Sequence, residues 1–178
     1  DVADGPAVET FYRDLEQTNN TFEILVNNSG IRRDSIVGMM KESDWRAVID
    51  TNLTGAFLMS KLAVQQLMRQ RYGRIIMITS PIGHFGFAGQ ANYAASKAGL
   101  INFTRQLAAE VKRYHVFVNA IDPGGMTTGM SDEIMSSEQA SDEFDGKQTN
   151  RDPSIRLRTP EEIVPMVMFL LSEDSNMM

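Results

Sequence analysis

Three short apolar runs, Phe22-Glu23-Ile24-Leu25-Val26, Arg74-Ile75-Ile76-Met77-Ile78-Thr79 and Val116-Phe117-Val118-Asn119-Ala120-Ile121, stand far apart in the chain and are separated by long segments of helical periodicity. Mostly apolar runs of this length read as strands buried on both faces, as in parallel sheets. Between the first two runs, Ile49, Leu53, Ala56, Phe57, Ser60, Val64 and Leu67 recur at three- and four-residue steps. That spacing predicts an amphipathic helix over 43–71, with Ser43 as its N-cap. A second helix is predicted over 91–113. A last one is predicted over 160–171, with Pro160 in its first turn and Glu161 and Glu162 following, where acidic side chains favour the helix dipole. Strands alternating with helices predict right-handed crossovers and a parallel sheet covered on both faces: an α/β fold, built as one domain over residues 1–178.

Composition agrees with one such domain: 178 residues, 42% hydrophobic and 22% charged. The net charge of −6 argues against nonspecific nucleic-acid binding, and no sustained basic tract is present for a membrane surface. No run of 18 or more apolar residues is present, so a membrane span is not expected. The absence of cysteine excludes disulfides and thiolate metal sites, and two isolated histidines, His84 and His115, make a poor metal site, so no metal is expected. The expected compartment is cytoplasmic. The sequence begins at Asp1 without methionine, which leaves targeting unread.

The chemistry concentrates on Ser80, Tyr93 and Lys97. On a helix, Tyr93 and Lys97 are four residues apart and share a face, so the ammonium stays near the phenol. A free phenol has a pKa of about 10, and an opposite charge a few ångströms away favours the phenolate by roughly 1 to 3 units. That moves it toward the range of general acid and base work. Ser80 ends the second strand-like run and offers a hydroxyl to a substrate oxygen. In an open parallel sheet, ligands sit beyond the carboxyl ends of the strands. Asn28-Ser29-Gly30 follows the first run, Ser80 ends the second and Pro123-Gly124 follows the third, so three separate loops predict one crevice.

Taken together, Asn27-Asn28-Ser29-Gly30, Asp50-Thr51-Asn52-Leu53, Ser80, Tyr93-Ala94-Ala95-Ser96-Lys97 and Pro123-Gly124 resemble the short-chain dehydrogenase/reductase family over nearly the whole chain, from Asp1 to about Asp174. The resemblance implies a Rossmann-like parallel sheet. It implies that Tyr93 gives a proton to a carbonyl oxygen, that Lys97 lowers the pKa of Tyr93 and bonds the nicotinamide ribose, and that Ser80 polarises the carbonyl. Asn52 would hold a water in the proton relay. Asp1 and Val2 would meet the adenine, Asn28 and Gly30 would let the backbone approach the cofactor, Pro123 and Gly124 would shape the nicotinamide side, and Thr128 would reach its carboxamide. The glycine-rich phosphate-binding turn that opens such folds is not found in the sequence. By resemblance, roughly the first quarter of a family member would lie upstream of Asp1 and a last strand beyond Met178, so the chain reads as an interior piece.

Within the family, Gly89-Gln90-Ala91-Asn92-Tyr93-Ala94-Ala95-Ser96-Lys97-Ala98-Gly99-Leu100 and Pro160-Glu161-Glu162 most resemble 3-oxoacyl-[acyl-carrier-protein] reductases. NADPH and an acyl-carrier protein or other acyl thioester are then the expected cofactor and partner, with Arg71 and Arg113 as candidate contacts for an acidic carrier. Tyr114 stands where the family has its second docking arginine. Ser29, Pro81 and Asp122 also depart from the family pattern, and each borders the site. The segment 131–152 is polar and falls where the family carries its substrate lid. Helices 43–71 and 91–113 correspond to those that build a family homotetramer. Alternatives are another carbonyl substrate, such as acetoacetyl-CoA, a sugar or a polyol, and a noncatalytic interaction module.

Overall fold

The computed structural model describes residues 1–18, 20–126 and 158–176. Three parallel strands, β1 (Ile24–Asn27), β2 (Gly73–Ile78) and β3 (Val116–Ile121), pair in the order β1-β2-β3. Their register sets Ile24 against Arg74 and Ile75 against Val118. The predicted α/β class is therefore observed. β3 has the predicted bounds, while β1 starts two residues later than expected and β2 starts one earlier.

Alternate side chains of the central strand go to opposite faces, as the two-residue period of a strand requires. On one face Ile75, Met77, Val116 and Val118 pack with Val8, Tyr12, Ala56, Ala63, Leu67, Leu100 and Val111. These come from α1 (Gly5–Gln17), α3 (Gly55–Gln70) and α4 (Ala91–Val111). On the other face Ile76 and Ile121 meet Leu170 of α5 (Val164–Leu171). Burying a side chain of this size contributes about 1.5–3 kcal/mol, so β2 is the axis on which both cores rest.

Four local readings need correction. Helix α1 was not anticipated, although Asp4 caps it by accepting a hydrogen bond from the Ala7 N–H at 3.1 Å and a proline sits in its first turn. Ser43 is not an N-cap: α2 (Glu42–Ile49) starts one residue earlier, after Lys41, whose side chain makes no cap. The predicted helix over 43–71 is also interrupted, because Asp50–Thr54 forms a π segment in which the Gly55 N–H donates to the Asp50 carbonyl five residues back. The last helix is split into a short 3-10 turn, Pro160–Glu162, and α5. Thr159 and Glu162 form a reciprocal capping box before the chain turns again.

Arg74 joins the second face to the residues after α5. Its guanidinium is buried, lies 4.4 Å from the Phe117 ring centroid and 5.4 Å from that of Tyr72, and donates to the Ser172 carbonyl and Asn176 Oδ1. Stacking on two rings lets a weakly hydrated guanidinium sit in an apolar layer. No described helix is long and apolar enough to cross a membrane.

Candidate active site

The carboxyl ends of the three strands bring the predicted residues together. Ser80 lies just beyond β2, and its Oγ accepts a hydrogen bond from the Ile82 N–H at 3.4 Å. The turn Pro81–Gly83 then runs against α4 at van der Waals distance. A β carbon on Gly83 would stand 2.9 Å from Ile101 Cδ1, 3.0 Å from the Ala98 nitrogen and 3.0 Å from the Lys97 carbonyl carbon. This approach locks Ser80 to the helix that carries Tyr93 and Lys97. Gly83→Val is expected to push the turn away, lowering stability by about 1–3 kcal/mol and activity by more than that loss of folded protein explains. Denaturant unfolding beside turnover of the folded fraction checks this.

Lys97 is 4% exposed, and its Nζ donates to the Ile78 carbonyl at 2.7 Å. The amine stands 5.6 Å from the centroid of the Tyr93 ring. Burial pushes its pKa down to about 8. Burial also pushes the Tyr93 phenol up; Ser80 and Arg32 pull it back, and the carboxylates of Asp34 and Asp122 push it further up. The Lys97 ammonium, itself penalised by burial, is held beside the ring by its bond to the Ile78 carbonyl.

Asn52 lies in the π segment and is 1% exposed. Its Oδ1 accepts from the Ile31 N–H at 2.8 Å, and its Nδ2 donates to the Ile31 carbonyl at 3.0 Å and to Ser96 Oγ at 3.1 Å. Ser96 in turn donates to the Tyr93 carbonyl at 2.7 Å. One amide thereby ties the loop after β1, the π segment and α4. Extra-residue π turns in helices are frequent at functional sites.

The cofactor-side residues fall on the same edge. Asp1, Val2, Ser29, Gly30, Ile31 and Thr51 line an open groove of about 620 Å³ beside β1. A β carbon on Gly30 would lie 3.5 Å from Asn52 Oδ1 and 3.7 Å from Lys97 Nζ, so this glycine of the groove lining also stands against Asn52 and the lysine. Asn28 is exposed beside it, whereas Asn27 turns inward to Ser60 Oγ and Met77 Sδ. Pro123 is buried after β3, and Gly124 takes φ +70°, a left-handed conformation suited to glycine. Thr128 and the segment 131–152 lie outside the described residues. At the far surface Arg71 donates to the Arg113 carbonyl at 3.4 Å, which sets these two predicted contacts side by side.

Arg32 and Asp34 were not singled out in the sequence, and Gln90 and Asn92 entered only as part of the motif around Tyr93. Arg32 pairs with Asp34, Gln90 Nε2 donates to Asp34 at 3.3 Å, and Asn92 Nδ2 donates to the Arg33 carbonyl at 2.8 Å. These bonds fasten the loop after β1 to the start of α4, beside Tyr93. The available signal was a charged triplet, Arg32-Arg33-Asp34, two residues after Gly30 in the loop that follows β1.

Residues 1–139 match the family model described as short chain dehydrogenase. The 3-oxoacyl-[acyl-carrier-protein] reductase of Vibrio harveyi is 38% identical over 174 residues, which span 98% of this chain and 69% of that protein. The enzyme of the same name from Escherichia coli strain K12 is 37% identical over the same shares. A crystal structure named as a gluconate dehydrogenase from Agrobacterium tumefaciens aligns with a TM-score of 0.90 at 33% identity, covering 99% of this chain and 68% of the other.

Proposed function

This chain belongs to the short-chain dehydrogenase family of NAD(P)-dependent oxidoreductases, and we propose from that premise that it reduces a 3-oxoacyl thioester to the 3-hydroxyacyl thioester, with NADPH as cofactor. The observation that carries the proposal is the convergence of Ser80, Tyr93 and Lys97 at the strand ends beside a groove lined by Gly30. Asp1, Val2, Asn28, Gly30, Pro123 and Gly124 would hold the dinucleotide, with Lys97 at its ribose and Thr128 at its carboxamide. The groove fits such a group, since it is open and includes Gly30, a position without a side chain whose β carbon would stand 3.7 Å from the Lys97 amine. When bound, the nicotinamide supplies a hydride to the carbonyl carbon.

The chain's own residues do the rest. Ser80 holds the carbonyl oxygen, Tyr93 delivers the phenolic proton to it, and Lys97 supplies positive charge beside the ring. Asn52 fixes the loop and helix that carry these groups and would hold a proton-relay water from the π segment. Two exposed apolar loops favour an acyl substrate. Val37 is 72% and Met39 74% exposed in one, Phe85 57% exposed in the other. A hydrogen bond of 2.8 Å from the Ser35 N–H to the Gly89 carbonyl joins these loops at their bases. A rim of this character suits an alkyl chain and leaves a polyol's hydroxyls unmatched. Arg71 and Arg113 would meet an acidic carrier protein, and the pairing of α3 and α4 between copies would build a homotetramer. The proposed setting is one cytoplasmic domain in fatty-acid synthesis.

A second reading is a polyol or sugar-acid dehydrogenase, because Arg32 sets a cation beside Tyr93. Competition decides between them. With NADPH, the protein is expected to consume a 3-oxoacyl-carrier thioester in preference to acetoacetyl-CoA, and to give no NADP-dependent oxidation of gluconate. Faster turnover of gluconate would replace the acyl reading with the polyol one.

A further inference from the structure

We propose that Arg32 is a positioning residue of this site, a second cation that acts on Tyr93 alongside Lys97, with Asp34 and Gln90 setting how strongly it acts. The inference rests on the reductase reading for its use, but its geometry stands by itself. The Arg32 guanidinium carbon is 5.7 Å from the centroid of the Tyr93 ring, almost the same separation as the Lys97 amine at 5.6 Å. Its side chain is only 12% exposed, against 41% for that of Asp34. Arg32 donates through Nε to Asp34 Oδ1 at 3.3 Å and through Nη2 to Asp34 Oδ2, and the same Oδ2 accepts from Gln90 Nε2 at 3.3 Å. The loop that carries the pair is bonded to the start of α4 through Ser35 with Gly89 and Arg33 with Asn92. Arg32 is thus a held charge on the site.

The two cations differ in what pH does to them. Burial leaves Lys97 with a pKa of about 8, so it loses its charge in mildly alkaline solution. A guanidinium keeps its charge at every pH a protein tolerates. As Lys97 discharges, Arg32 remains the positive group over the ring. The described groups that face Tyr93 are Arg32 and Asp34 from the loop after β1, Ser80 after β2, Asp122 after β3, and Lys97 on its own helix. Arg32 opposes the two carboxylates, and Asp34 both anchors it and attenuates it.

Tyrosinate absorbance tests this without cofactor or substrate. Subtracting the titration of Tyr93→Phe from that of the protein isolates the Tyr93 midpoint. Arg32→Gln is expected to raise that midpoint by up to about one pH unit, and Asp34→Asn to lower it by about half a unit, opposite signs that a simple loop brace does not produce. Arg32→Lys, which keeps the charge, is expected to restore most of the shift. If Arg32→Gln loosens the loop, Asp34→Asn decides alone. A midpoint unchanged in both Arg32→Gln and Asp34→Asn overturns the proposal. The readout needs no turnover, so an inactive protein with shifted midpoints sinks only the reductase reading, and an active one with fixed midpoints sinks only the role of Arg32.

Discussion

Replacing Tyr93 with phenylalanine is expected to lower the rate of carbonyl reduction by about 10²- to 10⁴-fold, the range spanned by loss of a positioned general acid. The ring stays in place, and so do its contacts with the Arg32 guanidinium and the Lys97 amine. Folding should therefore change little, by about 1 kcal/mol for one lost hydrogen bond. NADPH affinity is expected to survive, because the substitution removes one oxygen and no wall of the groove. The pH profile adds a second check. Burial keeps the phenol above its ordinary value, so it is protonated at neutral pH. Reduction needs the protonated phenol and should hold steady through neutral pH, then fall as the phenol ionises. Alcohol oxidation needs the phenolate and should rise over that same range.

Lys97→Met is expected to lower activity by roughly 10²-fold or more while changing the pH dependence of stability in a characteristic way. The native pKa of about 8 lies below the ordinary lysine value of 10.5. Between these values the unfolded chain binds more protons than the native one, so wild-type stability rises with pH across that window. Below pH 8 the full burden applies, roughly 3 kcal/mol for a shift of this size. The methionine variant escapes it, though it leaves the Ile78 carbonyl without its 2.7 Å donor, which costs about 1–3 kcal/mol. Urea unfolding at several pH values should show the variant gaining on the wild type at neutral pH and losing that advantage toward pH 10.5. Parallel pH slopes in the two proteins would mean that Lys97 is not a buried cation.

The legible parts were those written in apolar periodicity and strand ends. β3 could be bounded to the residue because its apolar run starts and stops sharply. Ser80, Tyr93 and Lys97 could be brought to one edge because parallel strands send their carboxyl ends the same way. What escaped was set by tertiary contacts. The π segment at Asp50–Thr54 leaves no sequence signature, since its apolar spacing matches an α-helix and its shape answers to the Asn52 clamp on Ile31. Arg32 looked like one charge among several, and only folding places it over Tyr93. Helix α1 was legible after all, from Asp4 as cap, a proline in the first turn, and Val8 and Tyr12 at a four-residue step. The Ser43 cap failed because the helix begins at Glu42, which leaves Ser43 already inside the first turn.

The most direct measurement is to supply the protein with NADPH deuterated at its transferable position, add a 3-oxoacyl-carrier thioester, and locate the label by mass spectrometry. Wild-type protein is expected to place one deuterium on the carbon that becomes the 3-hydroxyl carbon, and the Tyr93→Phe variant almost none. An unlabelled thioester from wild-type protein that binds NADPH and is folded would contradict it.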